Sequence, residues 1–560
     1  RFADYEKAYK QYEDLNSPDI MSFYTEVDIF PEDREAHIEG SYTVSNNYDE
    51  AIPELHFTVA TYLTINELNV PNSTLSHSDT DLGYYIYQLD RPMQPGESFD
   101  VNFDIDWLTP GFVNNSPTTR LLSSGTFFNN TEAFPLPGYN NSAELLDNNR
   151  RRRYDLPPAE RAAKIDDESQ WDVGLVTRMR ASYEAIVSTN SDQIAVTPGY
   201  LEREWEEDGR RYFHYKMDEP IWPFVSFLSA DYEMKSDKWN DVDLEVYYKH
   251  EQNVDRMLEA SKKSLDYFTV NFSPYQYRQY RIFEFPRQRG AFAQSFPNTI
   301  PFSEAIGFVA DIRDPEAIDY VFYVTAHEFA HQWWGHQVVG ANVQGAAVLT
   351  ETLSQYSALM VMEKEYGAAP MQRFLKYELD NYLNSRGAEV LEELPLMLVE
   401  NQGYIHYRKG SLVLYALKDY LGEDTVNLIL REFIADWGFK GPPYPTTRHL
   451  LAKIRENAPQ EYQGIITDLF EKIVLYDLRA EDSHYTELPD GRFEVTINTA
   501  ASKFEADGQG EETQVAMDAL IDIAVLGEED DETKVPEILH LEKQRVDSEN
   551  QTFVFVVDSR

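Results

Sequence analysis

The chain has 560 residues, too many for one hydrophobic core, and 42% of them are hydrophobic, enough for several packed interiors. Asp and Glu number 97 against 49 Lys and Arg, and the net charge of −48 excludes the basic footprint that nucleic acid requires. Cysteine is absent, which excludes disulfides, thiolate metal ligands and a cysteine nucleophile.

From the start, residues 1–237 read mainly as strands. Residues 24–29, 37–44 and 98–105 alternate polar and apolar side chains, the pattern of half-buried strands in a sandwich or saddle. The chain opens at Arg1 with no methionine and no signal-like segment, so it reads as a mature or excised piece. Residues 107–170 are rich in Asn, Pro and Gly and read as long loops over a cleft. The basic run Arg150-Arg151-Arg152-Arg153 reads as a solvated linker within them.

Residues 238–475 read as mostly helical after a few strands. A strand is expected at 243–248 and an amphipathic helix at 253–270, with Met257, Ala260, Leu265 and Phe268 inward. Strands near 278–284 and 292–302 follow, then helices at 351–366, 371–385, 408–420, 424–437, 447–457 and 459–474. Residues 476–560 return to alternation, with strands at 492–497 and 551–557, and read as a small all-β domain. The acidic run at 528–532 reads as a solvated turn. No apolar run approaches the length of about eighteen residues that a membrane-spanning helix needs.

The chemistry concentrates at His327-Glu328-Phe329-Ala330-His331, an HExxH motif. Asp314 and Pro315 suit the start of a helix, and residues 317–324 carry no breaker. On a helix, residues four apart share a face, so both imidazoles reach one metal ion. Glu328 lies about 100° round, beside the metal, where a general base belongs. A catalytic zinc takes three protein ligands and keeps one open position. Nineteen residues beyond His331, Thr350-Glu351-Thr352 opens a second helix that would return Glu351 to the metal. His336 and His406 are the other candidates for the third ligand.

His327-Glu328-Phe329-Ala330-His331-Gln332-Trp333-Trp334-Gly335 resembles the signature of the aminopeptidase N family of zinc metallopeptidases, HExxH gluzincins that include leukotriene hydrolase. Leu349-Thr350-Glu351 resembles the family's third-ligand segment, with one more residue of spacing than is usual. Tyr407-Arg408-Lys409-Gly410 resembles the segment whose tyrosine stabilises the transition-state oxyanion, and Tyr404 is the alternative donor. Residues 218–228 resemble the end of the family's β-saddle. The likeness extends over most of residues 20–475, and it is greatest to bacterial modules joined to a transporter permease. It implies a multidomain α+β chain: a β-saddle at 1–237, a thermolysin-like catalytic domain at 238–475 and a C-terminal β-sandwich at 476–560. One departure bears on substrate. Where the family carries a glutamate that binds the substrate's α-amine, this chain has Ser295, preceded by Gln294.

The resemblance implies one zinc ion per chain, held by His327, His331 and Glu351, with Glu328 and Tyr407 catalytic. The expected substrates are the N-termini of short peptides. Gln294, Ser295 and Glu400 are the candidate substrate contacts. The missing glutamate leaves an endopeptidase or oligopeptidase as the alternative, and a zinc-containing binding module of a membrane transporter as the reading from another class. The expected partners are peptides and a permease portion of the same polypeptide. The expected location is outside the cytoplasm or beside a membrane.

Overall fold

The computed structural model describes residues 1–109, 111, 119–314, 317–529 and 536–559. Two compact units share the chain. The first is Arg1–Val361 with Leu430–Thr446, and the second is Met362–Ile429 with Thr447–Arg560.

The first unit opens with a seven-stranded sheet. Its order is Tyr200–Glu207, Arg210–Lys216, Ser182–Asn190, Asp19–Phe30, Glu35–Ser45, Ser98–Leu108, Leu63–Asn69. All neighbours are antiparallel except Asp19–Phe30 with Ser182–Asn190, where Thr25 faces Ala185 in parallel register. The alternation expected at 24–29, 37–44 and 98–105 lies inside three of these strands. Val27, Ile29, Ile38, Val44, Val101 and Ile105 are buried in one core. Period-two patterning therefore sorted the faces correctly. A four-stranded and a three-stranded sheet complete this β-rich part.

The basic run departs from the expectation of a solvated linker. It ends a short helix, Asn148–Arg153, and Arg151 is buried, its Nη1 2.8 Å from Glu6 Oε2. A buried carboxylate partner and two accepting carbonyls, Leu145 and Pro157, let the guanidinium leave water.

The next sheet positions the site. Its order is Glu233–Trp239, Val242–Tyr248, Gln279–Phe285, Thr299–Ser303. The last three strands are parallel, so each pair needs a crossover, and the helix Val254–Asn271 supplies the one between Val242–Tyr248 and Gln279–Phe285. Met257, Ala260, Leu265 and Phe268 of that helix are buried, as its periodicity predicts. Only Thr299–Ser303 of the strand expected at 292–302 forms. The residues before it turn back as single bridges, Ala293 to Phe302 and Phe296 to Thr299.

The motif helix is Tyr320–Ala330 and packs on Val254–Asn271. Its cap is Asp319, not Asp314: the Asp319 carboxylate accepts from Phe322 N at 2.9 Å. Pro315 lies outside the described residues. Nine of the eleven helix residues are buried, so this is an interior helix rather than an amphipathic one.

The second unit is helical, then β. The helices Ala368–Arg386, Gly410–Leu421 and Thr447–Asn457 form near the expected positions. The helix expected at 459–474 is broken into a 3-10 turn, one α turn and a π turn. The strands expected at 492–497 and 551–557 correspond to Phe493–Ala506, which begins one residue later, and Asn550–Val557, and the two pair antiparallel. Ile497, Ile523, Val525, Phe553 and Phe555 centre the core of this β region. The turn expected at 528–532 lies partly outside the described residues. Among the described residues, no helix is long and apolar enough to cross a membrane.

Candidate active site

The motif helix ends where the chemistry begins. His327 sits in its last turn and His331 is its C-cap. The four-residue spacing brings the two Nε2 atoms to 3.1 Å, with ring planes nearly perpendicular at 88°. Past the helix the chain turns sharply at Gly335, whose φ of 132° disfavours any side chain.

Glu351 arrives from the second helix. It lies on a π turn, Val348–Thr352, that leads into Leu353–Tyr366. Its Oε2 is 3.4 Å from His327 Nε2 and 3.3 Å from His331 Nε2. Three lone-pair donors thus form a triangle with edges of 3.1–3.4 Å. Zinc bonds of about 2.0–2.1 Å in tetrahedral geometry place ligand atoms about 3.3 Å apart. Glu351 Oε2 is buried and accepts no hydrogen bond, so the donor set fits a shared cation.

His331 is oriented from behind. Its Nδ1 lies 3.0 Å from Trp334 O and 3.1 Å from Ser354 Oγ. A proton on Nδ1 satisfies that carbonyl and turns the Nε2 lone pair to the triangle. Trp334 donates to Ser357 Oγ and Trp333 to Ser273, and both indoles are fully buried packing residues. Ser354 and the Trp334 carbonyl were not anticipated. Ser354 lies three residues beyond Glu351 on one helix face, a spacing that could have exposed it; a carbonyl leaves no mark on a sequence.

The electrostatics favour positive charge. Burial alone would lower the pKa of His331, but the Glu351 carboxylate outweighs it and pushes the imidazole up to about 9. Burial alone would raise Glu351, but His331 and His327 hold its carboxylate well below the usual range. Glu328 stands outside the triangle and is 6% exposed. Burial pushes its carboxyl above the ordinary range, against the pull of the two imidazoles.

The other residues singled out separate into two groups. Ser295 lies beside the motif: its Oγ accepts from Gln332 Nε2 at 2.6 Å, and its carbonyl accepts from His336 Nε2 at 3.3 Å. Gln294 precedes it and donates its N–H to Pro301 O. His336 is therefore not a member of the triangle. It is also not on the motif helix, which ends before it. Tyr407, Tyr404, His406 and Glu400 belong to the second unit. The first three share a π turn, Tyr404–Lys409, in which Tyr407 is half-buried and edge-on to the buried His406 ring. Glu400 lies in the irregular stretch before it.

Residues 256–468 match the model of the Peptidase family M1 domain. That stretch is similar to an M1 peptidase domain. Of curated proteins, it is 28% identical over 130 residues to human endoplasmic reticulum aminopeptidase 2, covering 22% of this chain and 13% of that one. It is 24% identical over 176 residues to a probable aminopeptidase 1 of Sulfurisphaera tokodaii, covering 30% and 22%. The matches thus span less than a quarter of either relative. An M1 zinc metallopeptidase mutant of Deinococcus radiodurans, solved with a Tyr-Ser-Ala substrate, shares the fold. The TM-score is 0.54 at 14% identity, covering 81% of this chain and 94% of that one. The unmutated enzyme of the same organism aligns at the same TM-score and 15% identity. The M1 match contains the triangle, Glu328 and Tyr407, while Ser295 falls inside it without a carboxylate.

Proposed function

We propose that this chain is a zinc-dependent peptidase that removes residues from the N-termini of short peptides, with His327, His331 and Glu351 as the metal ligands. The observation that carries the reading is the triangle of 3.1–3.4 Å, with a buried carboxylate next in sequence to its first ligand. When bound, the metal supplies Lewis acidity, which polarises the scissile carbonyl and makes water acidic enough to ionise near neutral pH. Glu328 takes the proton of the attacking water on its carboxylate and delivers it to the leaving amine nitrogen. Its burial strengthens it as a base and keeps competing water away. Tyr407 donates its phenol proton in a hydrogen bond to the developing oxyanion, a role that rests on the resemblance of its segment.

Recognition of the substrate amine is the weak point of an exopeptidase reading. A buried ammonium needs a carboxylate, and Ser295 offers none; its hydroxyl is already engaged by Gln332. Glu400 is the candidate anchor from the second unit. We therefore expect a modest preference for free N-termini, with oligopeptide or endopeptide cleavage as the second reading. The test compares kcat/KM for one peptide with its amine free and acetylated. A preference of roughly a thousandfold or more would reveal a strong anchor and defeat the modest-preference claim. Equal rates would establish an endopeptidase. The finer reading of location, a module outside the cytoplasm beside a permease of the same polypeptide, is supported by the sequence resemblance alone.

A further inference from the structure

The first unit holds a cavity of about 730 Å³ that the triangle does not use. Its wall is aromatic, with Tyr200, Trp222, Tyr277, Phe439 and Tyr444. Arg180 stands among these rings, its guanidinium 4.1 Å from the Trp222 centroid and 5.5 Å from that of Phe439. One nitrogen, Nη2, donates to the carbonyls of His336 and Gln337 at 2.9 and 3.1 Å. Those acceptors are neutral. Among the described residues, no carboxylate pairs with Arg180.

A second donor is unspent. Trp222 is 2% exposed, and its buried indole N–H has no hydrogen-bond partner. Such a group is paired in most folded proteins, and Trp222 is one of the residues that line the cavity. The acids that line the cavity do not satisfy these donors. Asp218 pairs with Arg278, and both Asp218 and Glu219 are exposed.

We propose that this cavity binds a small organic monocarboxylate with an aromatic or apolar body. The carboxylate is taken by the free edge of the Arg180 guanidinium, whose planar fork matches it. The body lies among the rings. The acidic residues at the lining and the chain's net charge of −48 select a single negative charge over a phosphate dianion. The site has a route to the triangle. The His336 carbonyl holds Arg180, the His336 imidazole holds the Ser295 carbonyl, and Ser295 Oγ holds Gln332, the residue after His331. Nothing in this inference depends on the peptidase reading.

The test is calorimetric titration of the full chain with phenylacetate, and with phenylacetamide as its uncharged counterpart. Phenylacetate should bind with one-to-one stoichiometry and at least about tenfold more tightly than the amide. Arg180→Gln should weaken it by about tenfold or more, and Trp222→Phe, which keeps a ring and removes the N–H, by severalfold. Stripping metal with a chelator should leave the affinity unchanged, which separates this cavity from carboxylate held at the triangle. Absent binding, equal binding of the amide, an unaltered Arg180→Gln or loss on chelation would each overturn the site. Should Arg180→Gln lose its thermal transition, Trp222→Phe decides alone, and an unchanged affinity overturns the proposal.

Discussion

Replacing Glu328 with Gln keeps the side chain's shape and removes its basicity. Zinc content should stay near one per chain while turnover falls by roughly 10²–10⁴, the size of a general acid–base contribution. Tyr407→Phe should lower kcat far more than it raises KM, because the hydrogen bond proposed for it would form in the transition state. Normal kcat in that variant, with a collapse in Tyr404→Phe, would transfer the role. His336 contributes an acid-side pH dependence to stability. Burial holds its imidazole down at about 3, below the value of about 6.5 expected for the unfolded chain. Between those limits the unfolded state binds the extra proton. The His336 contribution is therefore intact above pH of about 6.5 and declines by up to about 1.4 kcal/mol per unit as pH falls toward about 3. His336→Asn should flatten that acid limb in denaturant midpoints measured from pH 7 to pH 4; equal slopes would dismiss the assignment. At this scale the two imidazoles and Glu351 were legible because helical geometry converts spacing into direction. The Trp334 carbonyl was not, and neither was the pairing of Arg151, whose partner lies 145 residues away.

The motif helix depends on Asp319 at its start. This carboxylate caps Phe322 N and also meets Arg256 Nε at 2.8 Å. Asp319→Ala should destabilise by about 1–2 kcal/mol, and Asp314→Ala by less, read as shifts of the denaturation midpoint. The reverse order would return the cap to Asp314. Sequence reading missed the true start because both positions hold a good cap residue ahead of an apolar run. Strands whose faces see different environments were easy to read, as Asp19–Phe30 and Ser98–Leu108 show. Two departures came from local backbone geometry. The strand expected at 292–302 shortens because the chain folds back through Asn298, whose φ is 50°. The π turns at Val348–Thr352 and Tyr404–Lys409 left no trace in composition. A π turn holds one residue more than an α turn needs, which can house the extra residue of spacing before Glu351 without turning its carboxylate away.

Charge acts on the molecule as a whole. With a net charge of −48, folding brings like charges together, and added salt screens them. The Debye length shrinks from about 30 Å at 0.01 M to about 8 Å at 0.15 M. The melting temperature should rise over that interval in a simple salt. A flat or falling trend would mean that the surface ion pairs, which salt also weakens, outweigh the net repulsion. The broad order of strands, then helices, then strands could be read from periodicity. The assignment of segments to compact units could not, because it depends on contacts between distant parts of the chain. The first unit takes Leu430–Thr446 from beyond a long excursion, and Phe439 and Tyr444 of that return help wall the Arg180 cavity. During synthesis, then, the first unit stays unfinished after residue 361 has been made, until residue 446 follows. At about 5–20 residues per second the wait lasts roughly 4–17 s. Through that interval Trp222 and Arg180 lack part of their wall, so the nascent chain passes through a stage in which this aromatic pocket is open to whatever holds it first.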